Sequence, residues 1–474
     1  MSSLGLTRLG RATLAAAATV LFATQTAAAA TPRVLATTSN PFADCTIGAG
    51  PPEWGTVNYL NGEVEPMVAV NPANHRNIIG VAQQDRWNDG GAHGLVAMWS
   101  KDGGQSFHVV PLPFSSCAPG GLNYERASDP WVSIGPDGTA YTVSISFDEN
   151  TARGGMGAAT STDGGKTWAN LTEFVTPDGF FDDKESVTAD PTTPGTAYIV
   201  WDRGPYFDSW PVPSFISKTT DFGVTWSTPT QMAPTNPNTA DLGNVLLIDP
   251  NTGTLYDFID RFYKESGKAK YMVSKSTDGG DTWTDAVVIA QDLGVQTVDP
   301  HPGGPDIRDG WEIISAAIDA NTGRLYAVWQ DARFTNGEHN QVLISSSTNG
   351  TKWSAPFVVS RTIGQAAFTG SVAVNAAGQV AVTYYDFRKF DPDKPGLPTS
   401  YWMRIAPAGG TNFGPDINVA GAPFDMLSAP DAGGRFLGDY EGLAARGNKF
   451  VALYCVATKQ TGNPTDCYVS QIKP

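Results

Sequence analysis

An internal repeat is the feature that most constrains the fold of this chain. The string Ser-x-Asp-x-Gly-x-Thr-Trp occurs at 161–168 and 276–283, with close variants at 219–226 and 100–107 and degenerate copies at 346–353 and 406–413. Successive copies are about 60 residues apart, and a period of this size predicts a fold made of repeated supersecondary units.

Each copy has the composition of a tight turn between two strands. The Asp can accept hydrogen bonds from backbone N–H groups across the turn, the Gly can adopt positive φ, and the aromatic ring can cover the loop. We therefore predict a structural role, not a catalytic one, for the Asp residues of the four better copies, which are Asp102, Asp163, Asp221 and Asp278.

A second repeat runs in phase with the first. Seven times, an apolar strand reaches a turn rich in Gly, Asn or Asp and returns as a strand of β-branched and aromatic residues, such as 325–329 or 380–385. Short strands between such turns predict antiparallel β-structure, and four antiparallel strands repeated radially predict a β-propeller. The sequence therefore predicts an all-β fold, with residues 31–474 forming one propeller of seven blades, or of six as the fallback. The last unit lacks its outer strand, which the segment 33–59 could supply.

The N-terminus has the pattern of a signal peptide. Arg8 and Arg11 precede a largely apolar stretch at 12–23, and Ala28-Ala29-Ala30 offers a small-residue cleavage site. The stretch is too short to span a bilayer, and no other stretch approaches the needed length. We therefore predict that residues 1–30 are removed near Ala30 and that the protein is secreted, extracellular or periplasmic, without membrane insertion.

Four cysteines follow this segment, and an even number in an oxidising compartment predicts two disulfides with three possible pairings. Cys455 and Cys467 flank a short polar turn and are expected to face each other across a hairpin. Cys45 and Cys117 would then form the second bond.

Charge and composition exclude several classes of protein. Lys and Arg number 31 against 47 Asp and Glu, a net charge of −16, and so acidic a chain is expected to repel phosphate backbones rather than bind nucleic acid. Charged residues make up only 16% of the chain, which argues against a coiled coil or a disordered polyelectrolyte. We expect a monomer whose partner is a glycan, as substrate or as ligand.

A ligand site is expected on the face opposite the repeated Asp turns. There, the loops that enter the first strand of each unit carry acids, which are Glu65, Asp129, Glu185, Asp241, Glu312, Asp439 and Glu441. Carboxyl groups in a shared cleft can act as general acid, general base or nucleophile.

Three segments depart from the repeat on this face. Tyr440 lies between Asp439 and Glu441; its phenol could be a nucleophile if a carboxylate takes its proton, or could cap the channel through a hydrogen bond. A loop beginning at His301 and containing Arg308 is interpreted either as a sugar-binding lip or as a stiff connector. Trp87 begins a polar loop, where it could stack on a sugar ring or be buried.

Motifs for other chemistries are missing from the sequence. There is no nucleophile elbow, phosphate loop, dinucleotide fingerprint or zinc-ligand spacing, so no cofactor is required by the sequence. Asp-rich loops leave Ca²⁺ as a possible ligand, although there is no EF-hand spacing.

The repeated strings resemble the Asp-boxes (BNR repeats) of the sialidase (neuraminidase) superfamily, and their six positions span most of the chain. The resemblance implies a propeller and a secreted glycosidase. In that superfamily a Tyr–Glu pair supplies the nucleophile, an Asp is the acid/base, and three arginines clamp the substrate carboxylate. Tyr440 resembles the family's tyrosine in context, whereas the place of the first family arginine is occupied by Val64-Glu65-Pro66.

The leading hypothesis is a sialidase-like glycoside hydrolase acting on an extracellular glycan, with exo-sialidase activity itself disfavoured. Tyr440 or a flanking carboxylate would be nucleophile or base, with the proton donor among three acids, Glu65, Asp129 and Glu312. Arg86 and Arg435, with Arg308, would bind an acidic sugar. The alternatives are a non-catalytic carbohydrate-binding or adhesion propeller, and a polysaccharide lyase in which Tyr440 or His301 abstracts a proton beside a uronate carboxylate.

Overall fold

Runs of β-branched and aromatic residues between Gly-, Asn- and Asp-rich turns form the strands of the computed structural model. It describes residues 29–50, 55–206, 210–234, 236–362 and 364–474. The predicted signal peptide lies outside the described residues, except for its last two. The chain begins with two short strands, β1 (Ala29–Ala30) and β2 (Val34–Leu35).

Four antiparallel groups of four strands follow, each paired in chain order. They are β3 (Asn58–Val70), β4 (Ile78–Trp87), β5 (Ala92–Ser100) and β6 (His108–Pro111); β7 (Arg126–Ile134), β8 (Ala140–Phe147), β9 (Gly154–Ser161) and β10 (Ala169–Val175); β11 (Phe180–Ala189), β12 (Ala197–Pro205), β13 (Ser214–Thr219) and β14 (Thr230–Gln231); and β15 (Thr239–Ile248), β16 (Leu255–Tyr263), β17 (Lys268–Ser276) and β18 (Val287–Gln291).

Short strands β19 (Thr297–Val298) and β20 (Asp306–Arg308) precede two further groups of the same kind. These are β21 (Ser315–Ile318), β22 (Leu325–Asp331), β23 (Gln341–Ser347) and β24 (Phe357–Val358); and β25 (Ala367–Val374), β26 (Val380–Asp386), β27 (Pro398–Ala406) and β28 (Ile417–Asn418). Next come β29 (Phe424–Asp425), a 3₁₀ turn at Met426–Ser428 and β30 (Arg435–Phe436), which pairs in parallel with β20.

The last group joins the two ends of the chain. It consists of β31 (Gly442–Arg446), β32 (Lys449–Gln460) and β33 (Asn463–Lys473). β1 and β2 both pair antiparallel with the outer side of β33, so that Val34 lies opposite Val469. The N-terminal segment therefore supplies the outer strand that the sequence lacks at its C-terminal end.

The first strands of these groups contact one another in a cycle. β3 contacts β7, and contacts continue through β11, β15, β21 and β25 to β31, which returns to β3. Apolar cores lie between successive groups, and strands such as β4 and β8 are buried along almost their whole length. The predicted all-β class is confirmed, and the arrangement is propeller-like.

The four better copies of the repeated string form turns between the third and fourth strands of a group. In each, one carboxylate oxygen of the Asp accepts from a backbone N–H at 2.8–3.0 Å and the other from a Ser or Thr hydroxyl at 2.5–2.8 Å. These bonds are local to each turn, so Asp102, Asp163, Asp221 and Asp278 have structural roles in this fold.

Two disulfides join distant and neighbouring parts of the chain. Cys455 is bonded to Cys467 across the β32–β33 pair, and Cys45 to Cys117, which ties the N-terminal segment to the loop after β6. This is the predicted pairing. Among the described residues no helix is long and apolar enough to cross a membrane.

Candidate functional site

The first strand of several groups contains a β-bulge at an equivalent position. The register shifts in β3 between Val64 and Met67, in β7 between Ser128 and Trp131, and in β11 between Asp183 and Ser186. The residue at each shift has positive φ: 55° at Glu65, 53° at Asp129 and 51° at Lys184. Bulges re-aim side chains, and left-handed non-glycine residues concentrate at functional sites. The bulges here direct one acid, a second acid and a lysine towards a common point.

The side chains that meet there form a charged cluster, buried except for the partly exposed Arg308, which we call the ion cluster: Glu65, Asp129, Lys184, Arg308 and Asp439. Lys184 Nζ lies 2.7 Å from Asp129 Oδ2, 2.8 Å from Asp439 Oδ2 and 3.7 Å from Glu65 Oε1. Arg308 donates from Nε to Asp439 Oδ1 at 3.0 Å and from Nη2 to Asp439 Oδ2 at 2.5 Å. Two protein cations therefore occupy the space among three carboxyl groups.

Neighbouring polar groups hold the acids of the ion cluster in place. Gln83 donates from Nε2 to Glu65 Oε2 and, at 2.9 Å, to Ser128 Oγ, whose hydroxyl donates to Asp129 Oδ1 at 2.6 Å. The backbone N–H of Glu65 donates to the Leu437 carbonyl at 3.0 Å. The chain on both sides of the cluster is thus fixed by hydrogen bonds, which limits how far its carboxyl groups can move.

Burial and charge act in opposite directions on these groups. Burial alone would raise the pKa of Asp439, but the charges of Lys184 and Arg308 outweigh it and hold that pKa well below its ordinary value. Asp129 is likewise lowered, with Lys184 outweighing burial. At Glu65, burial and the charge of Asp129 prevail over Lys184 and raise the pKa to about 8. At neutral pH the cluster therefore combines two carboxylates with one protonated carboxyl.

A cavity of about 350 Å³ opens beside the ion cluster, and we call it the charged pocket. Its ionisable lining residues are Asp183, Lys184, Arg308, Asp309, Glu312 and Asp439. Burial raises the pKa of Asp183 to about 6, partly offset by Lys184, and raises that of Asp309 to about 7. Burial, followed by the charge of Asp292, also raises the pKa of Glu312. The pocket thus contains acids whose pKa values are raised beside one, Asp439, whose pKa is lowered.

Glu65→Gln is expected to gain stability relative to the native protein as pH rises from 5 to 8. The folded pKa of about 8 exceeds the ordinary 4.5, so between these values the folded state holds a proton that the unfolded state has lost. Native stability therefore falls across this window by at most ~1.4 kcal/mol per pH unit for this group, and glutamine removes that dependence. Urea unfolding at pH 5, 6.5 and 8 measures it, with the exposed Glu265→Gln as control. A pH-independent difference between Glu65→Gln and native protein would contradict the raised pKa.

Tyr440 does not have the surroundings of a nucleophile. It is buried, its hydroxyl donates to the Pro130 carbonyl at 3.3 Å, and its ring packs edge-on against Trp131. Burial and the charges of Glu65 and other nearby acids raise its pKa well above 10. This geometry corresponds to the alternative in which the phenol caps the channel.

Glu441 also lies apart from the charged pocket. It is buried, and the hydroxyl of Tyr385 is 2.7 Å from its Oε1 and 2.7 Å from the Cys455 carbonyl. Burial raises its pKa well above the ordinary value. Glu441 is therefore a neutral, hydrogen-bonded group between the last two strand groups.

The predicted ligand-binding residues are more dispersed than the acids. Only Arg308 lines the charged pocket. Arg86 is 3% exposed and donates to Gln83 Oε1 at 3.0 Å, while Arg435 donates to the Ala429 carbonyl at 3.1 Å. These described residues form no three-arginine clamp. The Arg86 and Arg308 guanidinium groups lie over the same Phe436 ring, 5.2 and 4.4 Å from its centre, whereas Arg435 has a separate partner.

Trp87 and His301, the two other residues predicted to contact a sugar, also lie outside the lining of the charged pocket. Trp87 is 6% exposed and packs against His93 and Arg126, so its ring offers no face to a ligand. Of the two alternatives for this residue, stacking on a sugar or burial, the structure shows burial. His301 bonds through Nδ1 to Asp299 Oδ1 at 2.8 Å and through Nε2 to the Lys394 carbonyl at 3.1 Å. The histidine joins two loops, as expected if its loop is a stiff connector and not a sugar-binding lip.

The sequence interpretation missed Lys184, Asp183 and Asp309 as site residues. Lys184 and Asp183 lie in the run Asp182-Asp183-Lys184-Glu185, where attention fell on Glu185 as the acid entering the first strand. The bulge after Asp183 turns the lysine inward and places Glu185 among buried residues. The position of Lys184 within its repeat could have identified it, since it occupies the place that Glu65 and Asp129 occupy in their repeats.

No group of three or more His, Cys, Asp or Glu side chains suited to a metal ion occurs among the described residues. In the ion cluster, the positive charge among the carboxyl groups comes from Lys184 and Arg308.

Comparison with known proteins places this chain near carbohydrate-active enzymes without defining its family. No family model matches it. A xyloglucanase of Paenibacillus sp. is 27% identical over 261 residues, which are 51% of this chain and 23% of the relative, so the chain spans less than a quarter of that protein. Among solved structures, a Hadza microbial sialidase is 14% identical with a TM-score of 0.46, covering 84% of this chain and 74% of its own. The polysaccharide lyase Uly1 is 10% identical with a TM-score of 0.49, covering 85% and 91%.

Proposed function

We propose that the protein is a secreted glycoside hydrolase whose active site is the charged pocket. The observation that carries the proposal is that Asp183 and Asp439 line one pocket while their surroundings move their pKa values in opposite directions. Such a divergence between two carboxyl groups separates a proton donor from an ionised partner. The likeness to a xyloglucanase supports this reaction class.

In the proposed reaction Asp183 donates its proton to the glycosidic oxygen as the bond to the anomeric carbon breaks. Asp439, kept ionised by Lys184 and Arg308, stabilises the positive charge that develops on the sugar ring. Water then adds its hydroxyl to the anomeric carbon and passes its proton to a carboxylate of the pocket. The reaction requires no cofactor, and we propose neither Ca²⁺ nor another metal for it.

We further propose that the seven strand groups are the blades of one propeller, that cleavage of a signal peptide near Ala30 releases it, and that the segment from Thr31 through β2 closes the mature ring against β33. Exo-sialidase activity is not part of the proposal, because Arg308 donates from Nε and Nη2 to Asp439 and from Nη1 to the Ala432 carbonyl, and Arg86 is buried. A lyase is disfavoured because Tyr440 and His301, its candidate bases, do not line the charged pocket.

The test is release of reducing sugar from a panel of neutral and acidic polysaccharides by the purified protein, with Asp439→Asn and the exposed Asp178→Asn in parallel. Release that Asp439→Asn abolishes and Asp178→Asn retains would support the proposal. Products with ultraviolet-absorbing unsaturated ends would indicate a lyase instead. Binding of a glycan without any product would indicate the non-catalytic propeller, and either result would overturn the hydrolase.

A further inference from the structure

A second cavity adjoins the charged pocket. It is a cleft of about 820 Å³, and it shares Asp183, Leu242 and Glu312 with the lining of the pocket. Its aromatic lining residues are Phe147, Phe181, Tyr206, Trp210 and Phe262. We call this cavity the aromatic cleft. Its volume lies in the upper part of the range of ligand-binding pockets, about 300–1,000 Å³, so it accepts more than one sugar unit.

Three of its aromatic rings form a connected series. Phe147 and Phe181 meet edge to face with ring centres 5.9 Å apart, and Phe181 meets Tyr206 in the same way at 6.1 Å. Phe181 is half-buried and Tyr206 is 44% exposed. A row of rings held by mutual contacts presents a preformed apolar wall, against which the C–H groups on one side of a sugar ring can pack.

Three of the six acids that line the cleft, Asp89, Glu149 and Asp241, already have arginine partners behind it. Arg126, whose side chain is fully buried, lies 2.8 Å from both Asp89 and Glu149, and Arg261 is paired with Asp241. Among the described residues that line the cleft there is no Lys or Arg. An anionic sugar would therefore find no cation among these lining residues, and a cationic sugar would compete with arginines already in place at three of the acids.

We propose that the aromatic cleft binds several units of a neutral glycan chain and directs the next glycosidic bond into the charged pocket, so that the enzyme cleaves within chains. This inference rests on the proposed function. Asp183 lies at the boundary of the two cavities, which places the proton donor between sugar units held in the cleft and units held in the pocket. The acids of the cleft rim accept hydrogen bonds from sugar hydroxyl groups.

Binding can be measured apart from cleavage. Calorimetry with sulfur-linked hexasaccharides, which a hydrolase cannot cut, would compare neutral chains of glucose, xylose, arabinose and mannose with uronic acid and glucosamine chains. We expect binding of at least one neutral chain, weakened about 3- to 10-fold by Phe181→Ala and by Tyr206→Ala. The matched control is Phe222→Ala, an exposed phenylalanine (43%) in one of the repeated Asp turns, which should bind like the native protein.

The outcomes separate this inference from the proposed function. Binding of only uronic acid or only glucosamine chains, no binding of any chain, or neutral binding that neither variant weakens would overturn the inference. Neutral binding that both variants weaken would support glycan binding in the aromatic cleft even if the oxygen-linked chains prove resistant, a result that would refute hydrolysis and with it cleavage within chains. With cleavable chains, kcat/KM should rise with chain length in the native protein and rise less in Phe181→Ala.

Discussion

Replacing Lys184 by methionine is expected to lower the free energy of unfolding by about 3–5 kcal/mol at pH 7.5, the usual cost of removing one partner from a buried ion pair. The ammonium group is the closest cation to Asp129 and one of two that contact Asp439, and its side chain is only 10% exposed. Without it, the carboxylates of Asp129 and Asp439 remain buried with less positive charge beside them. Urea or guanidinium unfolding of the two proteins measures the difference.

The stability that Lys184→Met loses should become smaller as the pH falls. The folded pKa values of Asp129 and Asp439 are depressed in the native protein, so their contribution to stability is present above the unfolded value of about 3.9 and is lost as pH falls towards the folded values. In Lys184→Met these groups would protonate at higher pH, and the deficit should shrink as pH approaches 4.

An exposed lysine provides the matched control for this experiment. Lys264→Met should remain within about 0.5 kcal/mol of the native protein at both pH values, as is usual for surface substitutions. A deficit in Lys184→Met that is equally small, or one that is unchanged between pH 7.5 and pH 4.5, would contradict the charge distribution described for the ion cluster.

Asp183→Asn is expected to reduce kcat by about 10²- to 10⁴-fold on glycans, the usual contribution of a general acid. The amide cannot protonate a departing sugar oxygen. Aryl glycosides with an acidic phenol as leaving group need no such proton, so their cleavage should be nearly unaffected by the substitution. Comparing both substrate types in one variant distinguishes a lost proton donor from a damaged site.

The pH profile provides a second readout of the same role. In the proposed mechanism Asp183 donates a proton that it holds below its pKa of about 6, so we expect activity on glycans to fall as pH rises through that value. Asp183→Asn should lose this alkaline limb, while the exposed Asp178→Asn should retain both rate and profile. Equal losses on glycans and on aryl glycosides would exclude Asp183 as the donor.

The repeated strand groups could be predicted from the sequence because the patterns that specify them are local. Each turn string specifies its own hydrogen bonds, as the shared pattern at Asp102 and Asp278 shows, and the alternation of apolar strands and turns needs no knowledge of distant residues. The pairing of Cys455 with Cys467 follows from the same local hairpin. The outer strand of the last group was sought in the segment 33–59 because that group lacked a strand; in the structure the strands that pair with β33 are Val34–Leu35, within that segment, and Ala29–Ala30, before it.

Only part of the candidate site could be predicted from the sequence, because a β-bulge changes which side chains point inward without changing the amino-acid composition of the strand. Glu65, Asp129, Glu312, Arg308 and Asp439 were candidates, and the structure brings them into or beside the charged pocket. Lys184 was missed because strict alternation along β11 cannot be followed past its bulge. The burial of Trp87 and Tyr440 depends on loops and neighbouring groups that no single segment encodes.

The strand pairing that joins the two ends of the chain has a consequence for how the site comes into being. Glu65 and Asp439 belong to opposite ends of the sequence, and both reach Lys184 where β3 and the segment before β31 meet. Contacts of such large sequence separation form late, because the loop-closure entropy of the whole chain opposes them. No folding intermediate that lacks this junction can hold a complete ion cluster. Maturation of the charged pocket and docking of the chain ends are therefore a single event.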